Sequence, residues 1–344
     1  MEILIGLLII AVGSFCQSSS YVPINKVREW SWESFWLTQG LFAWLIFPFL
    51  GALLAVPEGA SLGDLFTSEN TFNIGMTVLF GALWGVGGLT FGLSMRYLGV
   101  ALGQSISLGT CAGLGTILGP VMLHAFYPEA AHLEKLTAAV IWGVVVTLVG
   151  IAIIGYAGAM KARSLSDEEK QKAVKDFNFP KGIVIALLAG FMSGCFNVGL
   201  EFGQTLHFEG TDPMYASLPA TMLVTLGGFV TNAIFCLWQN ARNRTFGDYK
   251  KRGLLVNNIL FCALAGGLWY SQFFGLSLGK GFLGGSPALM TFSFCILMAL
   301  NVTFSNVWGI LLKEWKGCSR RTIVVLMVGI AVLIVSTFVP ELLK

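Results

Sequence analysis

Apolar residues along this chain gather into long uninterrupted runs, and nearly all charged residues collect in the short stretches between them. A hydrocarbon core of about 30 Å takes roughly 20 apolar residues of helix to cross. Ten runs of that length have interiors free of Lys, Arg and Asp, at approximately 3–22, 35–56, 74–94, 98–123, 136–160, 182–206, 218–239, 254–278, 287–312 and 322–339. The pattern predicts an all-α membrane protein with ten transmembrane helices and no soluble domain. The first run has no basic residue ahead of it and passes into "QSSSYVP" with no small-residue cleavage site. It reads as a retained span and not as a signal peptide.

Composition agrees, since 55% of residues are hydrophobic and 11% charged, with a mean hydropathy of +0.76, the profile of a membrane chain. The charges add orientation, because cytoplasmic loops hold an excess of Lys and Arg. Lys26 and Arg28 follow the first run, Arg96 the third, Lys161, Arg163, Lys170, Lys172, Lys175 and Lys181 the fifth. Arg242, Arg244, Lys250, Lys251 and Arg252 follow the seventh, and Lys313, Lys316, Arg320 and Arg321 the ninth, leaving only Lys135, Lys280 and Lys344 opposite. Both termini are therefore expected on the periplasmic side of a bacterial inner membrane. The net charge of +3 reflects this topology and not a nucleic-acid partner.

The segment "KARSLSDEEKQKAVKDFNFPKG" is charged and divides the chain almost evenly. It predicts a cytoplasmic linker or short surface helix over 161–181, between a five-helix repeat at 1–160 and a second at 182–344. Gly6 and Phe15 match Gly182 and Phe191 at a constant offset of 176, pairing the first run with the sixth. "FGLS" occurs at Phe91 to Ser94 and again at Phe274 to Ser277, ending the third and eighth. Corresponding helices five apart must cross in opposite senses, which predicts two inverted repeats with a substrate site near the midplane between the halves, as in many secondary transporters. The 42 glycines, mostly within spans, suit close helix packing and local bending.

Several stretches resemble a known family over the whole chain. They are "EWSWESFW" after the first run, "FGALWGVG" and "SMRYLG" around the third, "GLWYSQFF" in the eighth and "LLKEW" after the ninth. They are similar to the L-rhamnose-proton symporters of the drug/metabolite transporter superfamily. The resemblance implies uptake of L-rhamnose, or a closely related 6-deoxyhexose, driven by proton entry. Another sugar or small metabolite of the same superfamily is the alternative, and a non-transporting membrane sensor would leave the repeat and the polar stripes without a use.

The residues bear on such work independently. Charges within spans are costly and tend to face an interior cavity. Glu201 is the one acidic residue well inside a run, while Glu33 sits at a helix entrance. Asn197, Glu201 and Gln204 fall at i, i+4 and i+7, one helix face. A carboxylate there could take a proton outside and release it inside, or could instead reach the outer headgroups or bind substrate; this rests on the residues and not on the resemblance. Sugar recognition needs amides or hydroxyls for the ring hydroxyls and an aromatic face for the pyranose. Candidates are Gln17, Ser20 and Tyr21 in the first span, Trp84, Gln104, Asn197, Trp269 with Gln272, and Asn301 with Ser305. Trp84 and Trp269 hold nearly corresponding places in the two halves and lead as stacking platforms, with interhelical packing the plain alternative for each residue.

Other chemistry is missing from the pattern. His124, His132 and His207 fall in or beside outer loops, and the seven cysteines show no C-x-x-C spacing. No phosphate-binding glycine loop, "HExxH" or "GxSxG" occurs. An ATP-driven pump, an intramembrane hydrolase, a metal and a cofactor all lose support, and no catalytic residue is expected.

Overall fold

The computed structural model describes residues 1–67, 69–98, 100–130, 132–164, 178–313 and 315–343. Helices are α1 (Glu2–Ser19), α2 (Trp32–Leu53), α3 (Thr71–Leu98), α4 (Val100–Phe126), α5 (Ala138–Arg163), α6 (Phe179–Phe202), α7 (Leu218–Asn243), α8 (Arg252–Gly281), α9 (Pro287–Leu311) and α10 (Arg320–Ser336). No strand occurs among the described residues. The first nine provide helices long and apolar enough to cross a bilayer; α10 has 17 residues. The expected linker over 161–181 lies largely, at 165–177, outside the described residues.

Local chemistry sets several ends. Ser31, Thr137 and Ser319 accept the backbone N–H of Ser34, Val140 and Thr322, capping α2, α5 and α10. Such caps satisfy N–H groups that have no intrahelical partner. Pro219 and Pro287 stand in the first turns of α7 and α9, where a missing N–H costs nothing. Arg244, left-handed at φ 58°, ends α7. One feature was not legible as a pattern: α2 contains a π-helical turn at Leu41–Ile46, directly before Pro48, which has no N–H to give.

Two compact units form, and neither follows the chain's midpoint. Unit 1 comprises Met1–Gly85 and Gly199–Phe282; unit 2 comprises Val86–Val198 and Leu283–Lys344. In unit 1, α1 packs along α8, and α2 against α7 and α8. In unit 2, α5 packs along α4 and α10, and α9 packs on α4, α5 and α10. Lipid offers no hydrophobic drive for helix pairing, so close packing falls to small residues and interhelical hydrogen bonds. Gly13 of α1 shows the geometry, because a Cβ there would lie 2.6 Å from the Ser271 carbonyl oxygen of α8 and 3.3 Å from Gly275 Cα. Gly279 lies against the Gly6 carbonyl further along the same contact.

This contact yields a first test. Gly13→Ala is expected to cost about 1–3 kcal/mol through overpacking, read as a lower unfolding temperature in detergent. Gly88→Ala, where a Cβ meets nothing within 4 Å, is expected to leave that temperature unchanged or raise it.

Candidate functional site

The two leading stacking candidates meet inside unit 1. Trp84 of α3 and Trp269 of α8 have ring centroids 5.7 Å apart at 35°. A third indole touches both edge-on: Trp44, in the π-helical turn of α2, lies 5.9 Å from Trp84 and 5.8 Å from Trp269. Trp36 follows at 5.4 Å from Trp44, and Trp32 stacks on Trp36 at 5.4 Å. Trp44 is buried while Trp36, Trp84 and Trp269 are half-buried, giving a hub with three partly open faces around it.

A seam of bare backbone holds Trp84 in place. Gly81 and Gly85 of α3 face Val224, Gly228 and Thr231 of α7, and Gly227 faces Val78 and Ala82 in return. A Cβ on Gly228 would overlap the Trp84 ring itself. Thr231 donates to the Ala82 carbonyl at 3.1 Å, and Asn232 Nδ2 donates to the carbonyls of Gly85 at 3.3 Å and Gly228 at 2.8 Å. The same Asn232 accepts the Trp36 indole N–H at 2.9 Å, so one buried amide ties α2, α3 and α7 together.

At the basic end of unit 1, "EWSWESFW" closes onto the loop between α7 and α8. Glu33 Oε1 accepts from Asn243 Nδ2 at 3.0 Å and from the Thr245 hydroxyl at 2.8 Å. Ser34 and Thr245 both donate to Asn240 Oδ1 at 2.9 Å. Asp248 accepts the Ser31 N–H at 2.8 Å and pairs with Lys251 at 3.0 Å, while its carbonyl takes the Trp30 indole N–H at 3.0 Å. Glu33 is thus a buried anchor in the first turn of α2, tied to Asn243 and Thr245 by two hydrogen bonds. Burial alone would raise the Asp248 carboxyl. The Ser31 N–H, the Lys251 ammonium and the Ser31 and Ser34 hydroxyls outweigh it and hold the group below the ordinary carboxylate range.

Glu201 is buried in the last turn of α6, in the part belonging to unit 1. Its Oε2 accepts from Gln204 Nε2 at 2.6 Å. The i, i+7 stripe does not continue as α-helix, because Gly203–Thr205 tightens into a 3-10 turn that brings Gln204 round to Glu201. Phe202 stacks on Phe80 at 5.6 Å, and Asn73, in the first turn of α3, donates to Thr205 at 2.9 Å. The carboxylate therefore sits one to two turns inside the end of α3.

The remaining candidates are scattered. In unit 1, Gln272 is buried with Nε2 donating to the Trp269 carbonyl at 3.1 Å, its Cα against Gly13. Gln17 accepts from Ser18 at 3.4 Å, and Tyr21 stands 59% exposed, a place suited to a bilayer interface. In unit 2, Asn197 is buried and donates to the Gly115 carbonyl at 2.8 Å; Asn301 is buried on α9, and Gln104 is half-buried on α4. Gln39, Trp36, Trp44 and Asn232 were not singled out from sequence. The four-residue spacing of Trp32 and Trp36 was the available signal, and it was used only as a mark of resemblance.

A family model described as "L-rhamnose-proton symport protein" matches residues 1–342. The chain belongs to the L-rhamnose-proton symporter family. Proteins named L-rhamnose-proton symporter are similar to it along their length. That of Cronobacter sakazakii is 32% identical and that of Mannheimia succiniciproducens 31%, each over 344 residues, 97% of this chain and 96% of the relative. That of Salmonella typhi is 31% identical over 340 residues, 94% and 93% of the two chains. Members of this family are multi-pass membrane transporters and not enzymes, and Trp36, Trp84 and Trp269 all lie in stretches that carried the resemblance.

The closure at the basic end is testable through pH. A lowered carboxyl stabilises the fold at every pH above about 3.9, the ordinary aspartate value, and loses that contribution as pH falls through its own lower value. Asp248→Asn is expected to lower stability at pH 7 by about 1–3 kcal/mol, mostly through the buried Ser31 contact, with the solvent-screened Lys251 pair adding little. Thermal unfolding at pH 7 should separate the two proteins, and the gap should shrink near pH 3.

Proposed function

We propose that this chain takes up L-rhamnose, or a closely related 6-deoxyhexose, with a proton across the bacterial inner membrane by alternating access. The observation that carries the reading is the meeting of Trp84, Trp269 and Trp44 in a member of a symporter family. Indole faces suit the apolar side of a pyranose, and partly open rings around a buried hub offer a platform. An inward proton gains about 2.3 kcal/mol per 100 mV of membrane potential, enough to concentrate a neutral sugar tens of fold.

The reading includes ten spans in two inverted repeats, 1–160 and 182–344, joined through 161–181, with both termini periplasmic. Ser286, just before α9, donates to Glu341, just after α10, at 2.8 Å, an antiparallel return that supports reading α10 as a tenth span. Gly6 beside Gly279 and Gly13 beside Ser271 place the start of α1 at the end of α8. The packing of α1 on α8 also has a counterpart five helices on. There α6 meets α3, with Gly199 against Thr77 and Phe80 in unit 1 and Gly87 against Ser193 in unit 2.

Glu201 is the proposed proton carrier, since it is a buried carboxylate within a spanning helix, with the Gln204 amide donating to it. Gln17, Tyr21, Gln104, Asn197, Gln272 and Asn301 remain proposed as further sugar contacts. Purified protein in proteoliposomes should accumulate labelled L-rhamnose when a pH gradient, acid outside, is imposed, and gradient-independent behaviour would refute symport. Glu201→Gln should abolish accumulation while sparing sugar counterflow. Trp84→Ala and Trp269→Ala should each weaken apparent rhamnose affinity about tenfold or more.

A further inference from the structure

Two buried polar atoms beside the indole group have no hydrogen-bond partner: the Gln39 carboxamide oxygen and the Trp44 indole N–H. Gln39 is 3% and Trp44 4% exposed. Leaving such a group unmet costs about 1–3 kcal/mol each, and neighbouring polar groups of the same helix avoid that cost. Trp36 delivers its N–H to Asn232, Ser34 its hydroxyl to Asn240, and Thr38 its hydroxyl to the Ser34 carbonyl at 2.8 Å. The two exceptions therefore fall together, at one structural irregularity.

That irregularity is the π-helical turn Leu41–Ile46, a feature that tends to mark functional positions within helices. Gln39 stands two residues before it and Trp44 inside it. The Trp44 ring folds back over Gly40, where a Cβ would lie 2.6 Å from two of its carbons, so the indole lies against the residue next to Gln39. On α8, Gly266 lies against the Gln39 carbonyl and the Ala43 N–H, and one turn later Trp269 meets Trp44. Both orphaned atoms thus belong to the stretch of α2 that abuts the proposed sugar platform.

Their chemistry is complementary. Gln39 Oε1 can only accept a hydrogen bond and Trp44 Nε1–H can only donate one. A sugar hydroxyl does both, so two hydroxyls of one pyranose would satisfy the pair, one donating and the other accepting. We propose that Gln39 and Trp44 bind hydroxyl groups of the transported sugar, and that they set the protein's preference among sugars differing in those hydroxyls. This rests on the reading of Trp44, Trp84 and Trp269 as the sugar platform.

The test uses Gln39→Met, which keeps the volume and removes the polar atom, and Trp44→Phe, which removes the indole N–H at the cost of a smaller ring. Binding of L-rhamnose and of a series of singly deoxygenated L-rhamnoses is measured by calorimetry in detergent, beside thermal unfolding of the sugar-free proteins. Each variant should lose about tenfold or more in L-rhamnose affinity, and should become indifferent to deletion of one particular hydroxyl that the unchanged protein requires. Sugar-free stability of Gln39→Met should hold or rise, because an unmet polar atom has been removed without loss of volume.

Unchanged affinity in both variants, with Trp84→Ala still weakening binding, would overturn the inference and leave the platform standing. Unchanged affinity in all of them would remove the platform as well. Lower stability with undiminished discrimination among the deoxygenated sugars would assign the two residues a packing role and also overturn it. Gln39→Asn, which keeps an acceptor one bond nearer the backbone, gives a second variant of the first residue and should bind better than Gln39→Met.

Discussion

The architecture of unit 1 depends on a strip where α3 and α7 touch backbone to backbone. Gly81, Gly85, Gly227 and Gly228 let the two backbones approach directly. Thr231 and Asn232 then reach across to carbonyls of α3. In lipid, where burying an apolar side chain against another helix gains little, such close approach and its hydrogen bonds are the main source of specificity. The seam also has a steric consequence. Because Gly228 carries no Cβ, the Trp84 indole can lie over α7 and meet Trp44 and Trp269 instead of turning outward.

From that placement the roles of the polar residues separate. Asn232 joins α2 to the seam through Trp36, so the indoles of α2 are positioned by the contact that positions Trp84. Three buried carboxylates, Glu33, Glu201 and Asp248, lie in unit 1 with different surroundings. Glu33 is held by Asn243 and Thr245 at the first turn of α2, its Oε1 accepting from donors that are part of the fold. Glu201 takes a hydrogen bond from a glutamine three residues on, in the tightened turn that ends α6.

Much of this was legible in the sequence, and the parts that were not share a cause. Of the ten uninterrupted apolar runs, nine correspond to helices long and apolar enough to cross a bilayer, because a bilayer demands length and hydropathy from every span. Trp84 and Trp269 could be paired through their matching places in the two halves. The π-helical turn could not, since it depends on how α2 settles against α7 and α8. Gln39 and Trp44 were invisible for the same reason: a glutamine or tryptophan within a span is unremarkable until its neighbours show that its polar atom is unmet. The stripe of Asn197, Glu201 and Gln204 was drawn on an ideal helix, and the 3-10 turn after Phe202 redirected its last member while Gly115 took up the amide of its first.

The account turns on whether the α3–α7 seam presents Trp84 to the sugar. The most direct measurement is the calorimetric affinity of folded Gly228→Ala for L-rhamnose, compared with Gly88→Ala on the open face of α3. A methyl at Gly228 displaces the Trp84 ring and should weaken binding about tenfold or more, with Gly88→Ala unaffected. A folded Gly228→Ala protein that binds L-rhamnose as tightly as the unchanged chain would contradict the account.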